Sequence, residues 1–410
     1  MIVFPLSSER GFLFIKISRL KEAVKLSSAV KCYEEINQKI QKGDAVVLTA
    51  EEFKQLSSEQ GVSKAARKVD VVTTGTFSPM CSSGVFVNFG HSDPPIKMSK
   101  VLLNDVPAYT GLAAVDAYIG ATELSENCDR LYGGAHVIED LVSGRKVRLE
   151  AFGCKTDCYP KERVDTYIDK NTLNECILFN PRNAYQNYAA ATNSADRTLY
   201  TYMGTLLPDF GNITYCTSGE LSPLLNDPRL RTIGIGTKIF LGGTTGYVAW
   251  NGTQHNPDRP RSNNGIPTGP ACTLSLIGNL KDMSSGFIKA AVFQRYGVSL
   301  YVGIGVPIPI LDEEMASFVS VRDRDITTSL IDYGIPRRNR PSVRTVDYRE
   351  LKSGTVELNG RKISSSSLSS IYKARQIALI LKEWIAKGDF LLHQPTDFLP
   401  DKGTVKPLSE

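Results

Sequence analysis

Residues 231–250, RTIGIGTKIFLGGTTGYVAW, decide the fold class. β-Branched and aromatic residues flank Gly242-Gly243, so the stretch reads as two strands joined by a tight turn. Its glycines also invite a nucleotide-binding reading, which fails on spacing. No Lys-Ser/Thr ending of a phosphate loop is present, and no G-x-G-x-x-G leads into a helix. Outward from this hairpin, residues 271–280 (ACTLSLIGNL) and 298–311 (VSLYVGIGVPIPIL) read as further strands. In TVELNGRKIS, residues 355–364, Asn359-Gly360 sits between short alternating runs and is the strongest hairpin signal of the chain. Towards the N-terminus, residues 69–74 are β-branched and read as a buried strand, and residues 85–89 as an alternating one.

Helical signals lie on both sides of these strands. In residues 17–42, Leu20, Ala23, Leu26, Val30, Tyr33, Ile36 and Ile40 recur at three- and four-residue spacings, and Gly43 stops the pattern. Thr49-Ala-Glu-Glu52 is a capping box that predicts a helix from Ala50. A helix from Gly133 halts at Gly144 before the strand KVRLEAF. Ser367 is placed to cap a last helix over 368–387, with Gly388 as its stop, and the tail beyond Phe390 is expected on the surface. Helices and strands mix without regular βαβ alternation. The expected class is therefore α+β, a mixed sheet core with helices at both ends. The expected organisation is an N-terminal extension over 1–16, a core over 17–392 and a tail over 393–410. The basic run RRNRPSVR, residues 337–344, reads either as a domain boundary or as a surface loop.

Composition sets the outer limits. In 410 residues, 41% hydrophobic and 22% charged content are globular values and exclude a disordered or fibrous chain. The longest apolar candidate, residues 301–311, holds two glycines and two prolines and is too short to span a bilayer. Glu9 and Arg10 split the apolar N-terminus and break a secretory h-region; the segment reads as a strand or an extension, with a transit peptide as the minor alternative. Cytoplasmic residence follows as the expectation, without a membrane. Eight cysteines are too few for a disulfide scaffold and read as reduced thiols. Residues 321–410 hold 16 Lys/Arg against 11 Asp/Glu, so the whole net charge of +5 belongs to the C-terminal fifth. Aromatic interleaving is absent from that basic segment. It suits a solvated face or a patch for an acidic partner protein better than nucleic acid.

The chemistry concentrates on thiols. Cys81 lies in MCSSG at a strand-to-turn transition, where small residues allow close approach of a substrate. A following helix or nest of N–H groups would favour its thiolate. Cys154 and Cys158 lie in the turn-like GCKTDCYPK, with Lys155 and Lys161 nearby to lower a thiol pKa. Cys32, Cys176 and Cys272 read as small core residues, and Cys128 and Cys216 are undecided. No second paired-ligand motif accompanies the C-x3-C of Cys154 and Cys158, so no zinc or ferredoxin-type site is indicated. A dispersed cluster on Cys81, Cys154 and Cys158 stays as the alternative, a non-catalytic iron–sulfur or metal-binding protein. His91, ten residues after Cys81, and His255 are acid/base candidates, and a satisfied structural histidine is the other reading of His255.

Six segments extend the argument: DVVTTGTFSPMCSSGVFVNFGH (70–91), LNDVPAYTGLAAVDAYIGAT (103–122), LYGGAHVIEDLVSGRKVRLEAFGCKTDCYP (131–160), ILFNPRNAYQNYAAATN (177–193), SGELSPLLNDP (218–228) and IGTKIFLGGTTGYVAWNGTQHNP (235–257). Together they resemble the homocysteine-biosynthesis family of methanogens and anaerobic bacteria, long catalogued as a domain of unknown function. The resemblance runs from Leu20 to Leu392. It implies a sulfurtransferase that incorporates sulfide or persulfide sulfur into L-aspartate semialdehyde to give L-homocysteine. Electrons would come from a small ferredoxin-like iron–sulfur protein, with no cofactor on this chain. The family's two functional cysteines match Cys81 and Cys158. The resemblance marks Cys158 as the sulfur carrier, Cys81 as resolving or relaying thiol and Cys154 as an auxiliary thiol. Known archaeal members carry paired CBS domains after this core, and with the chain ending at Glu410 their regulation is not expected to carry over.

A mechanism follows as an expectation. A Cys158 persulfide attacks the aldehyde carbon, water leaves, and electrons reduce the product to the thiol. His91 or His255 protonates the aldehyde oxygen. By residue type, Arg182 is expected at the substrate's α-carboxylate and Asp105 or Asp116 at its ammonium. A cysteine hydrolase and a pure docking module are the rival readings, and a homo-oligomer is left open.

Overall fold

The computed structural model describes residues 30–127 and 131–408. The expected extension 1–16, residues 17–29 of the expected first helix, and Cys128 lie outside the described residues.

The first described helix is Tyr33–Lys42, and it corrects the longer expectation. Residues 30–32 are not helical, because Cys32 is extended and serves as the N-cap. Its thiol accepts from the Glu35 N–H and the Glu35 carboxylate accepts from the Cys32 N–H at 3.1 Å. Cys32 is exposed, not a core residue, because a capping side chain must face the open end of its helix. Ile36 and Ile40 form the buried stripe, and Gly43 closes the helix at φ 76°. Thr49 and Glu52 cap Ala50–Gln60 reciprocally, as predicted.

The architecture is α+β. Strands Val47–Thr49 and Val71–Thr73 pair in parallel, and Pro307–Pro309 adds antiparallel to the second. A nine-stranded antiparallel sheet forms the centre. Its path runs Ile288–Phe293, Gly297–Gly305, Lys238–Leu241, Thr244–Asn251, Leu274–Asn279, Glu175–Asn183, Gly84–Asn88 and Asp116–Gly120, with Thr76–Pro79 branching onto Gly297–Gly305. The opening hairpin is thus two neighbouring central strands, and Gly242 and Gly243 turn it with φ 62° and 101°. The main hydrophobic core packs around this sheet and around Gly134–Val142, a helix whose Val137, Ile138 and Leu141 are fully buried.

A six-stranded sheet carries a second core, in the order Ser342–Asp347, Thr327–Asp332, Ala190–Thr192, Asn212–Tyr215, Arg361–Ser367 and Thr355–Leu358. The basic run 337–344 joins its first two strands, so it is a loop within one sheet and not a domain boundary. Asn359 and Gly360 turn the last hairpin with φ 52° and 72°. Ser367 does not cap the final helix: it ends strand Arg361–Ser367, held extended by parallel pairing of Ser366 and Ser367 with Thr214 and Tyr215. Ser370 is the cap, and the helix is Ile371–Ala386.

This helix lies close on the central sheet. A Cβ on Gly75 would stand 2.1 Å from the Ala374 carbonyl oxygen, and one on Gly305 would stand 2.8 Å from the Ile377 side chain. Glycine at both places permits the approach that buries Ile377, Leu381 and Ile385. Beyond it, Phe390 and Leu392 enter the core, and Asp397–Phe398 pairs with Gly234–Ile235. Among the described residues, no helix is long and apolar enough to cross a membrane.

Candidate functional site

The turn between Thr76–Pro79 and Gly84–Asn88 carries Cys81. A strand follows it, in place of the helix that would have favoured the thiolate. The small residues expected to admit a substrate are used to fix the turn. Ser83 Oγ donates to the Met80 carbonyl at 2.8 Å, and fully buried Asn180 donates from Nδ2 to Ser83 Oγ at 2.7 Å. Asn180 Oδ1 accepts from Ser82 Oγ at 3.1 Å and from the Arg182 N–H at 2.9 Å. Ser82 Oγ also lies 2.9 Å from the Arg182 carbonyl. One asparagine therefore ties the thiol turn to the strand bearing Arg182. The register that permits this is the antiparallel pairing of Gly84 with Phe179.

Cys81 Sγ lies 3.2 Å from Oγ of buried Ser299. It opens onto a cavity of about 340 Å³ lined also by Arg182, Cys216, Gln254, Tyr185, Tyr188, Tyr202 and Tyr296. That volume holds a small metabolite with room for a second group. Cys216, undecided from sequence, follows strand Asn212–Tyr215 of the second sheet, and its carbonyl accepts from Ser369 Oγ. Burial pushes its thiol up to about 12, and the neighbouring Cys81 acts in the same direction. Cys216 therefore stays a protonated thiol through the neutral range.

The tyrosines form a connected wall. Tyr188 donates to Tyr202 at 3.2 Å, the Tyr202 and Tyr333 hydroxyls are 2.8 Å apart, and Tyr185 donates to Gln254 Oε1 at 2.9 Å. Burial raises Tyr185 to about 12 and Tyr188 and Tyr333 higher still; burial first, then Cys81, raises Tyr296. These phenols remain protonated and act as hydrogen-bond donors, not bases.

The other expected residues lie elsewhere. Cys154 and Cys158 are exposed on the loop between Val147–Gly153 and Arg163–Ile168, and neither lines the Cys81 cavity. A local turn shapes that loop: Thr156 and Tyr159 exchange backbone hydrogen bonds, and Cys154 Sγ reaches Ser99 Oγ at 3.9 Å. His91 belongs to this region, its ring stacked 6.3 Å from Tyr159. His255 has both ring nitrogens engaged: Nδ1 accepts from the Thr273 N–H at 3.1 Å, which leaves Nε2–H to donate to the Pro400 carbonyl at 3.0 Å. It ties the tail to the sheet. Asp116 accepts from Asn88 at 2.9 Å, and Asp105 sits in a turn at φ 62° near Arg148. Neither aspartate lines the cavity.

Among the described residues, no three His, Cys, Asp or Glu side chains converge as a metal site would require. Cys81 is not gathered with Cys154 and Cys158 in the dispersed cluster weighed from sequence. The basic run is largely engaged: Arg344 pairs with Glu350 at 2.7 Å, Arg340 lies over the Tyr333 ring at 4.2 Å, and Arg338 joins Arg340 in lining a second cavity.

Comparison with known proteins places the chain. Residues 45–392 match the family described as homocysteine biosynthesis enzyme, sulfur-incorporation. The chain is 52% identical over 380 residues to the L-aspartate semialdehyde sulfurtransferase of Methanosarcina acetivorans, covering 93% of this chain and 74% of that one. It is 51% identical over 385 residues to the protein of the same name from Methanocaldococcus jannaschii, covering 90% and 73%. An uncharacterized protein of Methanothermobacter thermautotrophicus is 29% identical over 337 residues, covering 78% and 72%. No solved structure matches the chain. Matched through almost the whole of its described core, the chain belongs to the family of sulfur-incorporating homocysteine biosynthesis enzymes.

Proposed function

We propose that this chain is an L-aspartate semialdehyde sulfurtransferase that incorporates sulfur into the aldehyde to give L-homocysteine. The observation that carries the reading is identity above half, over nine-tenths of the chain, to two proteins of that name. The cavity that joins Cys81, Cys216 and Arg182 supports it chemically.

The two thiol regions divide the work. Cys158, exposed on its loop, accepts sulfur from a donor too large to enter the cavity and holds it as a persulfide. Inside the cavity, Cys81 presents sulfur to the aldehyde, whose α-carboxylate meets Arg182. Attack on the aldehyde carbon gives an oxyanion that the hydroxyls of Tyr202 and Tyr296 stabilise. This role passes to them because His255 is fully engaged. Loss of water leaves the thioaldehyde level, and an electron pair with two protons completes the thiol. Sulfide sulfur needs that one electron pair. Persulfide sulfur, two electrons more oxidised, needs a second pair. A small ferredoxin-like protein is the proposed donor, and the chain itself needs no bound cofactor.

The test is an anaerobic assay with L-aspartate semialdehyde, sulfide and a low-potential reductant, with homocysteine as readout. Product that depends on all three components is expected. Absence of homocysteine with folded protein and each donor supplied would overturn the assignment.

A further inference from the structure

The thiol cavity holds two cysteines, and the sulfur-transfer chemistry uses one. Cys81 reaches it from the turn before Gly84–Asn88 in the central sheet, and Cys216 from just past Asn212–Tyr215 in the second sheet. Pro79 and Met80, the two residues before Cys81, also line with Cys216 an adjoining space of about 50 Å³. Cys216 therefore lies against the thiol turn. The two thiols act on the same surroundings: burial first, then Cys81, raises Cys216, and burial first, then both cysteines, raises Tyr301. Cys216 keeps part of its surface open, as a group reached through a cavity does. Both residues lie outside the strand ladders, so a bond between them breaks no strand pairing.

Persulfide sulfur makes a demand that sulfide does not, one extra electron pair for each homocysteine. A pair of thiols holds one such electron pair. We propose that Cys216 is the resolving thiol of Cys81, and that the two cysteines supply this electron pair by closing a disulfide across the cavity. The inference rests on the sulfur-transfer reading and deepens it. Once the outer sulfur of a Cys81 persulfide has bonded to the aldehyde carbon, the Cys216 sulfur attacks Cys81 Sγ. The bond between the two cysteines forms, and the bond from Cys81 to the outer sulfur breaks. The electron pair of the broken bond leaves with that sulfur, which stays on the substrate carbon and takes the proton that Cys216 gives up. Without aldehyde, the same attack releases the outer sulfur as hydrogen sulfide. The ferredoxin-like donor then returns two electrons, with two protons from solvent, and restores both thiols.

The raised thiol of Cys216 opposes the attack, and its size can be weighed. Near 12, its ionised fraction at neutral pH is about a thousandfold below that of an ordinary thiol. Groups held together in one site gain an effective concentration that reaches about 10⁵ M when well oriented, which outweighs that loss. A thiolate of higher pKa is also the stronger nucleophile. Protonation has a use as well, because Cys216 then does not compete with Cys81 for incoming sulfur.

The test starts without turnover. The fully reduced chain is mixed anaerobically with cysteine persulfide, without aldehyde or reductant, and its peptides are mapped by mass spectrometry. A Cys81–Cys216 cross-link is expected. In Cys216→Ser the cross-link should vanish and Cys81 should persist as an unresolved persulfide, a signature that damage to the fold would not mimic. In turnover, Cys216→Ser should lower the persulfide-fed rate on the order of a hundredfold more than the sulfide-fed rate, because sulfide sulfur needs no second electron pair. If Cys216→Ser lowers the melting temperature sharply, Cys216→Ala replaces it, and the mapping of the unmutated chain decides. No Cys81–Cys216 cross-link in that chain, or equal loss of both rates in the variant, would overturn the inference. A cross-link without homocysteine from either sulfur source would instead remove the aldehyde assignment and leave the resolving pair standing.

Discussion

The two thiol regions are built on opposite principles. Cys81 sits on a turn tied by buried Asn180 to the centre of the largest sheet, and shares a walled cavity with a thiol that burial keeps protonated. Cys154 and Cys158 sit on an exposed loop whose turn is closed by its own Thr156 and Tyr159. A carrier that meets a donor must be reachable, whereas a group that directs attack on a small aldehyde must be fixed and shielded from water. No single site serves both demands. On the proposed division of labour, the separation lets one chain meet both demands.

The largest effect should come from the exposed side. Cys158→Ser is expected to reduce homocysteine formation to background and leave the circular dichroism spectrum and melting temperature unchanged. Full activity of this variant with a persulfide donor and reductant would remove the carrier role and leave the cavity to work alone. Alkylation is expected to split the two regions next. A thiol near pKa 12 is about a thousandfold less ionised at pH 8 than an ordinary cysteine, so Cys216, like buried Cys176 with the same shift, should label far more slowly than exposed Cys158 under mass-spectrometric readout. Its rate should climb about tenfold per pH unit towards 12. The same shift acts on stability: the protonated thiol favours the folded state below the ordinary thiol range, and that contribution disappears as pH rises through it towards 12. Labelling of Cys216 as fast as that of Cys158 at pH 8 would erase the contrast. On the cavity side, Cys81→Ala should lower kcat on the order of a hundredfold with KM nearly unchanged. A fall in KM-dependent binding alone would make Cys81 a wall residue.

Local signals were legible and non-local ones were not. The capping box of Thr49 and Glu52, the turn at Asn359-Gly360 and the stop at Gly388 each depend on residues a few positions apart, and each appears where the chain predicts it. Ser367 misled because four serines in a row offer several caps. The pairing that makes Ser367 a strand residue comes from Tyr215, far away in sequence. Cys81 and Arg182 were both readable as chemical residues, and their meeting depends on the register of two strands that no local pattern encodes. Cys216 was undecided for the same reason: it reaches the cavity from the second sheet. Arg340 read as part of a basic surface, since only folding brings it to Arg259 and Asn256. Asn180 passed unnoticed because an asparagine before a proline is an ordinary turn signal.

That asparagine gives the sharpest structural test of the contrast. Asn180 Oδ1 and Nδ2 serve three partners on the thiol turn and the Arg182 strand, all at 2.7–3.1 Å, and the bond to Ser83 is fully buried. Asn180→Ala removes the hub: the Arg182 N–H loses its acceptor and the buried Ser83 hydroxyl loses the donor it accepts from. A buried polar group left unpaired costs about 1–3 kcal/mol, so a loss of about 3 kcal/mol in urea unfolding is expected, because both serine hydroxyls keep their carbonyl acceptors. Thr156→Ala removes the side-chain contact to the Tyr159 N–H on the exposed loop, where water replaces it, and should cost no more than about 0.5 kcal/mol. Equal costs would mean that the cavity turn is no more rigid than the loop, and shielding alone would then have to explain why the chemistry sits at Cys81.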